Sequence, residues 1–160
     1  MRTIEGTHMA AGFRFAIVVS KYNDFVTDRL QAGALAALAA AGVGADDVTV
    51  VRVPGAFEIP IAAQHAAETG TYDAIICLGC VIRGATPHFE YIASAVANGL
   101  MSASAATGIP MTFGVLTTNS VEEAIERAGE GNSNKGLEAA VAAVEMATVV
   151  AQLTRQPSAT

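Results

Sequence analysis

Residues 74–91 read Ala74-Ile75-Ile76-Cys77-Leu78-Gly79-Cys80-Val81-Ile82-Arg83-Gly84-Ala85-Thr86-Pro87-His88-Phe89-Glu90-Tyr91, an apolar run that passes through glycine into a helix start. The apolar part, 74–81, suits a strand covered on both faces, as in a parallel sheet. Pro87 marks the start of a helix predicted over 87–106, because a proline at the first helical position gives up an N–H that has no partner there. In an open parallel sheet, ligands bind beyond the carboxyl ends of the strands, where backbone N–H groups and the positive end of a helix dipole converge on an anion. Gly84, Thr86 and His88 stand at such a junction.

The same alternation extends to both sides of this stretch. Residues 13–20 form a short β-branched run, and Phe25, Leu30, Ala34, Leu35 and Leu38 then recur at helical spacing up to a stop at Gly42. A second strand is predicted over 48–53 and a helix over 56–68, with Pro60 tolerated in its first turn. Residues 111–117 make a fourth strand. Ser120-Val121-Glu122-Glu123 is a capping box opening a short helix that ends at Gly129, and an alanine-rich helix then runs to about Leu153. Strand and helix in strict alternation imply a three-layer α/β/α sandwich with a central four-stranded parallel sheet. Residues 1–160 read as a single domain, with residues 1–11 an N-terminal arm and 156–160 a disordered tail.

Composition narrows the function. Hydrophobic residues make up 52% of the 160 and charged residues 15%, against roughly 25% charged in an average soluble domain. That is too little charge to cover a monomer, so a homo-oligomer is expected. A formal charge of -6 argues against nucleic acid or an anionic membrane as partner, and an anionic substrate would need a local basic cluster. No uninterrupted apolar run reaches the ~18 residues of a membrane span, and no signal peptide is visible, so the chain reads as cytoplasmic. Cys77 and Cys80 form a C-x-x-C inside a strand whose period of two sends them to opposite faces, so a redox or metal pair is not expected.

Four predicted strand ends share one edge of the sheet and hold the unusual residues. His88 is either a surface histidine or a proton carrier, since an imidazole titrates near neutral pH. Tyr22 with Asn23 reads as packing plus a turn or as a ring that stacks on a planar heterocycle. Phe57 and Glu58 open a helix, where the dipole favours a carboxylate and where Glu58 can also accept substrate hydroxyls. Arg127 ends a helix, an ordinary place for a cation; Lys135 begins one, where the dipole opposes it and another partner is wanted. The segment 129–136 follows a helix and matches neither a Walker loop nor a dinucleotide fingerprint. His8 and His65 have no comparable setting.

Taken in order, 53–60 (Val-Pro-Gly-Ala-Phe-Glu-Ile-Pro), Gly79 to His88, Thr117-Thr118-Asn119, Glu126-Arg127-Ala128-Gly129 and Asn134-Lys135-Gly136 closely resemble the lumazine synthase family. The resemblance implies a flavodoxin-like fold and the condensation of 5-amino-6-(D-ribitylamino)uracil with 3,4-dihydroxy-2-butanone 4-phosphate, with no redox or metal cofactor. It implies that Tyr22 lies over the pyrimidine, with Asn23, Ala56, Phe57, Glu58, Val81 and Ile82 on the pyrimidine and ribityl chain. Gly84, Ala85 and Thr86 would cradle the phosphate, Arg127 would be its cation, His88 the proton-transfer base and Lys135 an electrostatic helper. The resemblance also implies sites between subunits, with Phe113 reaching across, in a pentamer that in some members builds an icosahedral shell, and it names riboflavin synthase as a candidate partner. Tyr22 and Gly131-Asn132-Ser133 depart from the usual pattern. Rival readings are a flavin-binding or shell-forming scaffold without turnover, and an electron carrier, for which 21–24 lacks the Ser- and Thr-rich phosphate loop.

Overall fold

The computed structural model describes residues 1–85 and 87–155, so Thr86 and the predicted tail, 156–160, lie outside the described residues. Four strands, β1 (Phe15–Ser20), β2 (Val48–Val53), β3 (Ala74–Ile82) and β4 (Met111–Thr118), form one all-parallel sheet in the order β2-β1-β3-β4. Five helices alternate with them: α1 (Asp24–Ala40), α2 (Ile59–Glu68), α3 (His88–Thr107), α4 (Val121–Arg127) and α5 (Lys135–Thr154). The three-layer sandwich is as expected. β1 is buried at every position and β3 at all but its last, which is why both read as continuous apolar runs.

Strand periodicity divides the core in two. Phe15, Ile17 and Val19 of β1 and Ile76, Leu78 and Cys80 of β3 face α1 and α5. Ala16 and Val18, with Ile75 and Cys77, face α2 and α3. The two cysteines thus sit on opposite faces as free thiols, and burial pushes Cys77 up to about 12 and Cys80 to about 11. Both stay protonated at neutral pH.

Element ends carry small corrections. β1 starts two residues later than 13–20 because the Arg14 N–H donates to the Asp73 carboxylate (2.8 Å). Residues 56–58 are a 3₁₀ turn that precedes α2, and Pro60 lies in the first turn of that helix. The capping box forms in part: the Glu123 N–H donates to Ser120 Oγ (3.2 Å), while the Glu123 carboxylate accepts from the Asn119 N–H (2.9 Å) rather than from the cap residue. The first residues carry no helix or strand, in keeping with the absence of a full element there, and Glu5 and Thr7 lie against α5 of the same chain. The Thr7 N–H donates to Thr148 Oγ1 (2.9 Å) and Gln152 Nε2 to the Glu5 carbonyl (2.7 Å).

α5 has a mean hydropathy of 1.4 and is long and apolar enough by composition to cross a membrane, although Glu138 and Glu145 keep it from being an uninterrupted apolar run. Its burial pattern is that of a core helix. Gly136 lies so close to the Leu30 carbonyl that a Cβ would collide, and Ala139, Ala140, Ala143 and Ala147 are buried beside α1 and the sheet. Alanine lets the helices approach closely and also raises the mean hydropathy.

Candidate active site

The carboxyl ends of β1, β2 and β3 open into a bay of about 950 Å³. Its base is tied together by backbone. The Lys21 and Tyr22 N–H groups donate to the Val53 and Pro54 carbonyls (2.8 and 3.0 Å), which hold the loop after β1 against the loop after β2. Asn23 takes the left-handed conformation (φ 64°), tolerated by asparagine better than by most residues, and its Nδ2 donates to the Cys80 carbonyl (2.9 Å). All three strand ends are thereby locked. Gly79 belongs to the same junction: a Cβ there would press on Ile59 and on the Ser20 hydroxyl.

Nine of the residues expected at a site line this bay: Tyr22, Asn23, Ala56, Phe57, Glu58, Val81, Ile82, Gly84 and His88. Tyr22 and Phe57 stand 72% and 64% exposed, unusual for large aromatic rings inside a cleft, and none of the described residues covers them. Gly84 has no positive φ, and a Cβ there would meet nothing within 4 Å. No contact among the described residues therefore requires glycine at 84. Ala85 is exposed beside the bay without lining it, and Thr86 is outside the described residues. Glu58 is half-buried at the junction of the 3₁₀ turn and α2. His88 is exposed at the first position of α3.

Residue-by-residue reading missed one wall. Tyr91, Ile92 and Ala95 also line the bay, and they follow His88 at the i+3, i+4 and i+7 positions that share a helix face. Once His88 is placed on α3, that spacing finds them.

Phe113, Arg127 and Lys135 lie elsewhere in the chain, in a groove of about 370 Å³ along the edge strand β4. Arg127 faces Glu123 at 3.6 Å, four residues back on α4, and Lys135 Nζ donates to Glu138 Oε2 (2.9 Å) on its own helix. Glu138 is thus the other partner that a lysine at a helix start required. Asn134 secures this corner. Only 4% exposed, it caps α5 by accepting from the Gly136 and Leu137 N–H groups (2.8 and 3.0 Å), and its Nδ2 donates to the Arg29 carbonyl (3.0 Å). Among the described residues of one chain, then, His88 lines the bay while Arg127 and Lys135 line the separate groove.

An open parallel sheet with a roomy bay over its carboxyl ends, aromatic walls, a half-buried carboxylate and a histidine at a helix start defines an α/β enzyme of small-molecule chemistry. The sequence model of the 6,7-dimethyl-8-ribityllumazine synthase family matches residues 12–151. A protein of Desulfatibacillum aliphaticivorans named 6,7-dimethyl-8-ribityllumazine synthase is 50% identical over 151 residues, covering 94% of this chain and 97% of that one. The chain belongs to the 6,7-dimethyl-8-ribityllumazine synthase family.

Proposed function

We propose that the family's reaction runs on this chain in a composite site, the bay of one copy closed by the β4 groove of another. The reaction condenses 5-amino-6-(D-ribitylamino)uracil with 3,4-dihydroxy-2-butanone 4-phosphate, a transferase step of riboflavin biosynthesis that yields 6,7-dimethyl-8-ribityllumazine, phosphate and water. One observation carries the composite reading: the bay has no arginine or lysine among its described lining residues, and the two cations suited to a phosphate line a separate groove.

In this reading Tyr22 stacks on the pyrimidine, and Asn23, Ala56, Phe57 and the ends of β3 at Val81 and Ile82 surround it. Glu58 accepts hydrogen bonds from the ribityl hydroxyls. The phosphate rests against Gly84, Ala85 and Thr86 at the start of α3, where the open space at Gly84 admits close backbone approach. Arg127 and Phe113 of the neighbouring copy complete the pocket, with Lys135 of that copy as an electrostatic helper. The pyrimidine amine and the ketone form an imine with loss of water. Phosphate then leaves to give an enol, which tautomerises. The ribitylamino nitrogen closes the ring on the remaining carbonyl, and dehydration completes the product. His88 carries protons between these steps, and much of the acceleration comes from holding two small reactants together.

The exposed apolar side chains Ile61, Met101 and Phe113 and the sparse surface charge support a homo-oligomer, a pentamer in this reading and the unit from which an icosahedral shell would be built. Two cysteines kept as free thiols suit the cytoplasm. Riboflavin synthase, the enzyme that uses the product, is the protein partner in this reading. Mixing the protein with both substrates and following lumazine fluorescence should show a rate above the uncatalysed background, and no excess rate removes the reading. Light scattering reports the size of the assembly.

A further inference from the structure

We propose that Arg83 is a positioning residue for this reaction, the clamp that sets the first turn of α3, and with it His88, against the end of β4. The inference rests on the reading of His88 as the proton carrier. Arg83 is the first residue beyond β3, and its N–H donates to the Thr118 carbonyl (2.8 Å), so its backbone is still held in the sheet. Its side chain then makes three contacts at once. Nε donates to Asn119 Oδ1 (2.9 Å) on the loop after β4, and Nη1 donates to Glu90 Oε1 (2.8 Å). The guanidinium carbon lies 4.8 Å from the centroid of the Phe89 ring.

Phe89 and Glu90 directly follow His88 in the first turn of α3. That helix has Pro87 at its cap position and no side-chain cap; Arg83, which has donors only, leaves the free N–H groups of the turn unbonded and holds the turn instead through the Glu90 carboxylate and the Phe89 ring. The link continues beyond Asn119. Its N–H donates to Glu123 Oε2 (2.9 Å), and the same oxygen faces Arg127 Nη1 at 3.6 Å. A row of side chains therefore runs from the turn that carries His88 to the cation of the groove. Each exposed pair is worth little alone, but a planar guanidinium makes two directed bonds and a stacking contact together, which a lysine does not. Small misplacements of a proton carrier are costly in rate even when binding is kept.

Steady-state kinetics on the assembled protein test this with Arg83→Gln, Arg83→Lys, Glu90→Gln and the Arg83→Gln/Glu90→Gln double variant. Arg83→Gln is expected to lower kcat about ten- to a hundredfold while KM for the butanone phosphate and the assembly size hold. Arg83→Lys should retain most of that loss, and Glu90→Gln should lose less. The double variant should be no worse than Arg83→Gln, because both break one clamp. An unchanged kcat, multiplying losses in the double variant, or a raised KM for the butanone phosphate that lysine rescues would each overturn the assignment, the last by making Arg83 a direct phosphate ligand. If Arg83→Gln does not assemble, Glu90→Gln decides alone: a lowered kcat at unchanged KM supports the clamp, and wild-type kinetics remove it. A wild-type protein that turns over while these variants match it defeats the inference only, whereas a wild-type protein that makes no lumazine defeats the proposed function with it.

Discussion

The bay over β1, β2 and β3 holds Tyr22, Phe57 and Tyr91, all more than 60% exposed, whereas the groove along β4 holds Arg127 and Lys135 and a single aromatic, Phe113. In the proposed reading the bay takes the flat heterocycle and its polyol chain. In the same reading the groove takes the phosphate, and its two cations are each paired with a glutamate, Arg127 with Glu123 and Lys135 with Glu138. The contrast has a physical basis. An aromatic wall can remain open in a single chain at modest cost, but two neighbouring cations repel each other, and each here is paired with a carboxylate of its own helix. A single chain thus keeps its aromatic residues and its cations in two separate cavities, which under the proposed function divides recognition of the pyrimidine from recognition of the phosphate.

The sharpest way to break this division is to mix inactive chains. His88→Ala should lower turnover about a hundredfold or more, and Arg127→Ala should also be strongly impaired. Co-assembled, the two variants should regain activity, since about a quarter of the interfaces in a random mixture pair an intact bay with an intact groove. Co-assembly without recovery would place both residues in one chain's site. Next in size, Arg127→Ala should raise KM for the butanone phosphate about tenfold to a hundredfold, the loss of one charge-assisted bond, and leave KM for the pyrimidine as it was. A matching rise for the pyrimidine would join the two regions instead of separating them.

Asn134→Ala tests the scaffold of the groove. It removes a buried cap and leaves the Arg29 carbonyl and two N–H groups without that partner, so denaturant unfolding should show a loss of about 2 kcal/mol. Unchanged stability would mean that α5 starts without help from its cap. The smallest effect belongs to the bay: Tyr22→Ala should raise KM for the pyrimidine about threefold to tenfold, as expected for one stacked ring, while Tyr22→Phe stays near wild type. A large loss in Tyr22→Phe would give the hydroxyl a role that stacking does not need.

Much of the molecule was legible because its signals are local. The unbroken apolar runs at 15–20 and 74–82 require cover on both faces, and Gly42, Gly108 and Pro110 punctuate the chain where elements end. Strand alternation even sent Cys77 and Cys80 to opposite faces, as found. The strand ends named the bay. The less legible parts depend on partners far away in sequence. That Thr7 lies on α5 against Thr148, 141 residues on, and that Arg83 reaches Asn119, 36 residues on, are pairings that no short window of sequence contains.

The sequence by itself determined the alternation of strand and helix, the parallel sheet, the two-faced core and the residue types crowded at the strand ends, because backbone propensity and hydrophobic period act over a few residues. Only the tertiary structure decided that β4 stands at an edge, and so that Phe113, Arg127 and Lys135 face away from the bay that His88 lines. Which strand becomes an edge is settled by pairings between residues far apart in the chain, as where Cys77 of β3 stands opposite Phe113 of β4. Such pairing is long-ranged, and it decides which functional groups one chain can bring together.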